Sequence, residues 1–341
     1  MRARRRAGER LMAGETILVT GGAGYIGSHT CLALAKEGYR VVVYDSLIHG
    51  HRAFAKFGPL EQGDVRDTAA LSATMAKHKP AAVIHFAALI EAGVSVRDPA
   101  PFYDVNVGGV LSLLNATRAN GSTPIVFSST CATYGAPRHA TLDETHPQWP
   151  LNPYGWTKLA AERLFADCRT AYGQRSTWLR YFNAAGGAPE HGLGEHHDPE
   201  THVIPLAIFA LLGRRDAFTL MGEDYDTRDG TCVRDYVHVL DLADAHVRAV
   251  RKLVDGDAGG AYNLGTGDGA TVKEIVASVE RVTGQKMPLR TAPRRPGDSP
   301  SLVANAARAH AELGWTATRG LDDIIASAWR WHADVEAKVF G

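Results

Sequence analysis

Over its first 185 residues the chain alternates short apolar runs, rich in β-branched residues, with longer stretches of helical period. Positions 16–20, 40–44, 81–86, 124–129 and 177–181 read as strands, several of them apolar throughout. A strand that is apolar on both faces is covered on both sides, as in a parallel sheet. Between them, 25–37 (stopped by Gly38), 68–78, 98–120 and 153–172 read as helices. The alternation predicts an α/β fold on a doubly wound parallel sheet, with ligands at the carboxyl ends of the strands.

After Gly186 the pattern changes. Residues 187–203 are rich in Gly, His, Asp and Glu without a period and read as a loop. Further on, Thr271 and Glu274 form a capping box, Val272, Ile275, Val276 and Val279 an apolar helix face, and Gly284 a stop. Residues 261–264 read as a strand returning to the main sheet.

Charge narrows the function classes. Lys and Arg total 37 and Asp and Glu total 37, so nothing favours a nucleic-acid or membrane surface. No run nears the ~18 apolar residues of a membrane span. The basic start, Met1-Arg2-Ala3-Arg4-Arg5-Arg6, leads into no apolar stretch before Thr16 and makes a poor signal peptide. It reads as a disordered tail, or as a start placed upstream of Met12. Cys31, Cys131, Cys168 and Cys232 lie far apart with no C-x-x-C pair, so neither a disulfide framework nor a zinc site is expected. A reducing cytoplasm fits.

Strand 16–20 runs into Gly21-x-x-Gly24-x-x-Gly27 and then a helix. Glycines permit the tight turn and close backbone approach, and a helix N-terminus offers free N–H donors to a dinucleotide's pyrophosphate. Asp45 closes the second strand, 18 residues after Gly27, near the position of an acid that grips a ribose 2′-hydroxyl. A carboxylate there repels a 2′-phosphate, so NAD is favoured over NADP. Asp64, after Gly63, holds the equivalent place on the third strand, within reach of an adenine amino group or as a helix-leading acid. The expected organisation is a basic tail at 1–14, a Rossmann-type NAD domain at 15–185 with the returning strand 261–264, and a smaller interleaved substrate lobe over most of 186–341.

Tyr154 and Lys158 stand four residues apart in a helical stretch, so they share one face, about 40° apart. A cation beside a phenol favours phenolate. Bringing a phenol from near 10 to neutrality requires roughly 4 kcal/mol, for which Lys158 and a positive nicotinamide are the available sources. Thr130, at the end of strand 124–129, adds a hydroxyl able to donate and accept.

The first two glycines and the Tyr-x-x-x-Lys pair resemble the extended short-chain dehydrogenase/reductase family, from Thr16 to about Trp331. Within it, several segments look like the nucleotide-sugar 4-epimerases. These are 20–27, Val83-Ile84-His85-Phe86-Ala87-Ala88, Asn152-Pro153-Tyr154-Gly155, Arg180-Tyr181-Phe182-Asn183, 229–236, Tyr262-Asn263-Leu264-Gly265 and Arg294-Arg295-Pro296-Gly297-Asp298.

The resemblance implies interconversion of UDP-glucose and UDP-galactose through a 4-keto sugar, with NAD as resident cofactor. It makes Tyr154 the base, Lys158 its partner and Thr130 the hydroxyl on O4. It assigns the cofactor to Gly21, Gly24, Tyr25, Ile26, Gly27, Asp45, Asp64, Val65, Phe86, Ala87, Asn106, Tyr181, Tyr154 and Lys158. Asn183 and Arg234 fall to the diphosphate, Arg295 and Asp298 to the phosphate and uridine ribose, and a homodimer is implied.

Cys131 and Ala132 follow Thr130 where related dehydratases and decarboxylases carry an acid, which favours plain epimerisation. Ile90 stands where some relatives have a lysine, and His202 where others have a sugar-contacting Asn. Leu302 holds a position that limits the pocket beside the sugar's C2 substituent. UDP-arabinose/UDP-xylose or UDP-N-acetylglucosamine 4-epimerisation are the nearest alternatives, and a non-catalytic dinucleotide sensor the remote one. The run His191, Glu195, His196, His197, Asp198, Glu200 and His202 is broken by Gly192 and Gly194 and reads as a solvated loop, with no metal expected.

Overall fold

The computed structural model describes residues 14–295 and 299–341. The expectations for the basic tail and for Asp298 lie outside the described residues.

Six strands follow one another as β1 (Thr16–Thr20), β2 (Arg40–Asp45), β3 (Leu60–Gln62), β4 (Ala82–His85), β5 (Ile125–Thr130) and β6 (Ser176–Tyr181). A returning strand, Ala261–Leu264, pairs parallel with β6, Ala261 opposite Trp178 and Leu264 opposite Tyr181. Edge to edge the sheet runs returning strand, β6, β5, β4, β1, β2, β3, all parallel. Strand order reverses at β1, whose neighbours are β2 on one side and β4 on the other. That switch point opens a crevice at the strands' carboxyl ends.

The apolar-throughout strands have a direct structural cause. Ile17, Leu18 and Val19 of β1 are all fully buried, with alternate residues feeding opposite layers. Ile17 and Val19 pack in one layer with Leu34 of helix Tyr25–Lys36 and with Leu242, Val247 and Leu253 of helix Val239–Val254. Leu18 packs in the other with Leu71, Leu113 and Phe165 from helices Thr68–His78, Gly109–Ala119 and Pro153–Tyr172. Burying each such side chain is worth about 1.5–3 kcal/mol. Helix Val239–Val254 lies well beyond residue 186, so more of the later chain than one strand rejoins the sheet.

A third core joins helices Val203–Leu211, Val272–Thr283 and Leu321–Arg330 with paired strands Phe218–Met221 and Leu289–Ala292. The capping box forms as read: the Glu274 amide donates to Thr271 Oγ1 at 3.0 Å and the Thr271 amide to Glu274 Oε2 at 2.8 Å. One helix differs from its sequence pattern. The stretch 98–120 is helix Ala100–Phe102, a wider-turned segment Tyr103–Gly108 and helix Gly109–Ala119. The wide segment carries Asn106 into the interior. All four cysteines are free, and no described helix is long and apolar enough to cross a membrane.

Candidate active site

Gly21 leaves β1 with φ +72°, the left-handed region, and a Cβ there would lie 2.5 Å from the Ala87 amide nitrogen. A Cβ on Gly27 would run into the Gly21 carbonyl oxygen. The turn is therefore bare backbone wedged between β1, the exit of β4 and the start of helix Tyr25–Lys36. A pyrophosphate fits such a cradle. Tyr25 is anchored, its hydroxyl donating to the Gly186 carbonyl at 2.6 Å, and Ile26 packs on the core below.

Asp45 ends β2 and is 6% exposed. Its two oxygens accept from the Ala23 amide at 2.9 Å and the Leu47 amide at 2.8 Å, tying the second strand to the glycine turn. Each carboxylate oxygen keeps a lone pair for a ribose hydroxyl. Burial raises its pKa and the two backbone N–H groups oppose this. Asp64 is held by its neighbour instead, with Arg66 Nη2 at 2.6 Å and the Arg66 amide at 2.8 Å. Val65 is buried beside Gly109. Phe86 packs 4.7 Å from the His246 ring, and Ala87 lies at the turn.

Asn106 is 2% exposed and its amide is spent on the chain itself. It accepts from the Leu89 amide at 2.8 Å, and it donates to the Leu89 carbonyl and to Thr157 Oγ1, each at 3.0 Å. It clamps the segment after β4 onto helix Pro153–Tyr172.

That helix carries the pair. Asn152 caps it, accepting from the Gly155 amide at 2.9 Å, and Pro153 begins it. Gly155 allows the close seat: a Cβ there would lie 2.7 Å from the Ala132 carbonyl oxygen. Tyr154 is thereby brought to Thr130, the last residue of β5, and the two hydroxyls interact. Lys158 is 2% exposed, donates to the Ser128 carbonyl at 2.9 Å and lies 4.9 Å over the Phe127 ring.

The electrostatics depart from the sequence reading. Burial pushes the Tyr154 phenol well above its ordinary value, Tyr181 adds to this, and only the Thr130 hydroxyl pulls it down. Burial likewise drops Lys158 to about 7, against the opposing pull of Glu162. The lysine alone does not ready the phenol, because desolvation penalises both charges at once. Below about 7 the amine is protonated in folded and unfolded chains alike; from there to its ordinary 10.5 only the unfolded chain takes the proton. Stability of the cofactor-free protein is therefore expected to rise with pH across that window, and the rise to shrink in Lys158→Met. Equal slopes of denaturation midpoint against pH in the two proteins would remove this assignment.

Sequence reasoning missed the buried polar frame behind the pair. Arg180 and Glu162, 4% and 3% exposed, pair at 2.6 Å. Ser129 donates to Glu162 at 2.5 Å, and Arg180 donates to the Tyr134 hydroxyl at 3.0 Å. Tyr181 bonds Ser128, and burial raises its phenol. The Arg180 motif was visible, but its partner lies 18 residues away on another element.

Of the residues expected to meet substrate, Asn183 donates to the Asp235 carbonyl at 3.1 Å and Arg234 to the Ser299 carbonyl at 2.8 Å. Asp235, fully buried, was also overlooked. It accepts from the Thr266 amide at 2.8 Å, the Gly267 amide at 3.0 Å and the Ala304 amide at 3.1 Å, fixing the strand that presents Arg234. Leu302 pairs opposite Arg234 and packs, with Cys131, in the cluster of Tyr134 and Phe182. Arg295 is exposed.

The histidine loop is not the solvated segment its composition implies. Glu195, His197, Glu200 and His202 converge, their ligand atoms within 4.8 Å of one another, because opposite charges let a polar loop fold inward. His202 begins helix Val203–Leu211.

Residues 17–265 match the model of the NAD dependent epimerase/dehydratase family. The chain is 59% identical over 322 residues to a UDP-glucose 4-epimerase of Rhizobium leguminosarum bv. trifolii, covering 94% of this chain and 98% of that protein. It is similar to the solved UDP-glucose 4-epimerase of Brucella ovis in complex with NAD: 50% identical, TM-score 0.90, covering 92% of this chain and 97% of that one. The UDP-glucose 4-epimerase from Stenotrophomonas maltophila, with bound NAD and formylated UDP-arabinopyranose, is 38% identical at TM-score 0.92, covering 95% and 99%. With its glycine turn at the switch point of a parallel sheet and Tyr154 facing Thr130 over the strand ends, the chain belongs to the NAD dependent epimerase/dehydratase family.

Proposed function

We propose that the chain interconverts UDP-glucose and UDP-galactose by epimerisation at C4, through a 4-keto sugar, with NAD retained through the cycle. The observation that carries the reading is the meeting of Tyr154 with Thr130, on the helix that also buries Lys158, with Cys131 and Ala132 following where no carboxylic acid stands. Its similarity to UDP-glucose 4-epimerases along nearly the whole chain supports the same substrate pair.

NAD held by these residues would supply the hydride acceptor for the sugar C4 and the donor that returns the hydride to the opposite face of the keto sugar. Tyr154 accepts the proton of the 4-hydroxyl and gives it back, and Thr130 holds O4 through its hydroxyl. Lys158, four residues on from Tyr154 in the same helix, would serve as its cationic partner and bond a nicotinamide ribose. Gly21, Gly24, Tyr25, Ile26 and Gly27 hold the pyrophosphate, Asp45 the adenosine ribose and Asp64 with Val65 the adenine end. Phe86, Ala87 and Tyr181 line the nicotinamide side, which Asn106 keeps in place. Asn183 and Arg234 take the sugar diphosphate, because a planar guanidinium binds two oxygens at once. Arg295 and Asp298 complete the nucleotide contact, and His202 and Leu302 bound the sugar pocket.

The unit 15–185 with the returning strand serves the cofactor, and most of 186–341 the substrate. A homodimer is favoured by Tyr103 and Leu111, 45% and 50% exposed along the 100–119 helical stretch. Four free cysteines fit the cytoplasm.

The test is purified protein, without added cofactor, offered UDP-galactose, UDP-arabinose and UDP-N-acetylglucosamine in turn. Turnover of UDP-galactose alone is expected. Preference for UDP-arabinose would replace the hexose reading, and inertness toward all three would leave a dinucleotide sensor.

A further inference from the structure

Four side chains of metal-ligand type converge within loop 187–203. His202 Nδ1 stands 2.9 Å from both Glu195 Oε1 and Glu200 Oε1, and His197 Nδ1 3.3 Å from Glu195 Oε1. The two glutamate side chains are 5% exposed. Inside this knot Glu200 Oε2 and His197 Nδ1 are buried without a hydrogen-bond partner, facing each other across 3.8 Å. A buried carboxylate oxygen left unpaired costs about 1–3 kcal/mol or more. A gap of that size is what two metal–ligand bonds of about 2.0–2.2 Å span when one ion sits between them.

We propose that Glu195, His197, Glu200 and His202 hold one divalent transition-metal ion of the zinc class. Two imidazole nitrogens and two carboxylate oxygens suit such an ion, and with neutral imidazoles the two carboxylates balance its charge. Its task is to fasten rather than to react. His197 meets the Tyr25 ring edge-on at 6.2 Å, and Tyr25 belongs to the cofactor turn. The Trp331 indole N–H donates to the Glu195 carbonyl at 2.7 Å. An ion here draws together the loop, the cofactor turn and the C-terminal helices, while half of the His202 ring stays open to solvent.

The competing state is a metal-free quartet in which two imidazolium rings face two carboxylates. Tag-free, NAD-loaded protein is dialysed against chelator, given Zn²⁺ or Co²⁺ alone, gel-filtered and its metal counted. One equivalent per chain is expected, together with visible Co²⁺ bands of a four-coordinate nitrogen–oxygen site. His197→Gln and Glu200→Gln should each weaken binding at least about 100-fold, since even partners outside the ligand set cost 10–100-fold. Zn²⁺ should raise the thermal midpoint of the parent protein and not of the variants. Failure of the parent protein to retain an equivalent establishes the metal-free quartet. Undiminished binding in both variants, or a thiolate-to-cobalt band, places the metal elsewhere. Each of these overturns the proposal.

Discussion

Replacing Tyr154 with phenylalanine is expected to lower turnover about a thousandfold while leaving bound NAD in place, the range in which positioned acid–base groups act. The substitution removes one oxygen and keeps the ring, so the seat that Gly155 makes against Ala132 is preserved. What disappears is the phenol oxygen, a group that touches Thr130 and can exchange a proton with a sugar hydroxyl at O4. The size of the loss carries more than the assignment of a base. Burial raises this phenol and drops Lys158 to about 7, so the protein by itself keeps the phenol protonated and the amine only partly charged at neutrality. A bound oxidised nicotinamide would add a positive charge that favours phenolate. Turnover and NAD content measured on one preparation check this, and a variant with parental turnover would refute the role.

Arg180→Met is expected to destabilise the fold by about 3–5 kcal/mol, because it strands the Glu162 carboxylate in an interior that pairing had made tolerable. Ser129 and Gln148 still donate to Glu162, but neither brings a charge. The Tyr134 hydroxyl loses its donor too, though it keeps Asn263 as acceptor at 2.6 Å. Adding Glu162→Gln to the same chain should restore much of the loss, since the penalty belongs to the uncompensated charge. Urea midpoints of parent, single and double variants decide it. A single variant within the parent's error, or a double variant no better than the single, would show that the pair is not what stiffens the end of β5.

The parts of this molecule written in local pattern were legible in its sequence. The glycine turn, the capping box at Thr271 and the strand cores at 17–19 each depend on residues within a few positions of one another. Thr130, Tyr154 and Lys158 stand where the strand and helix patterns put them, at the end of β5 and in the first two turns of helix Pro153–Tyr172. What stayed hidden depends on partners far along the chain. Asp235 reads as one more polar residue until Thr266, Gly267 and Ala304 are seen to close on it. The histidine loop reads as solvated because composition counts its charges without showing that they cancel in pairs. The same blindness applies to magnitudes. Adjacency of a cation and a phenol was visible four residues apart, but the burial that outweighs it comes from the whole sheet.

Synthesis on the ribosome meets a consequence of the returning strand. Until residue 264 has left the exit tunnel, β6 is a bare edge with unpaired amides and carbonyls, and the inner face of helix Tyr25–Lys36 lacks the cover of helix Val239–Val254. A nascent chain paused near residue 185 thus exposes both a template for strand addition and an oily stripe, the pair of features that chaperones bind. Folding of the dinucleotide half is in this way tied to the synthesis of residues 239–264.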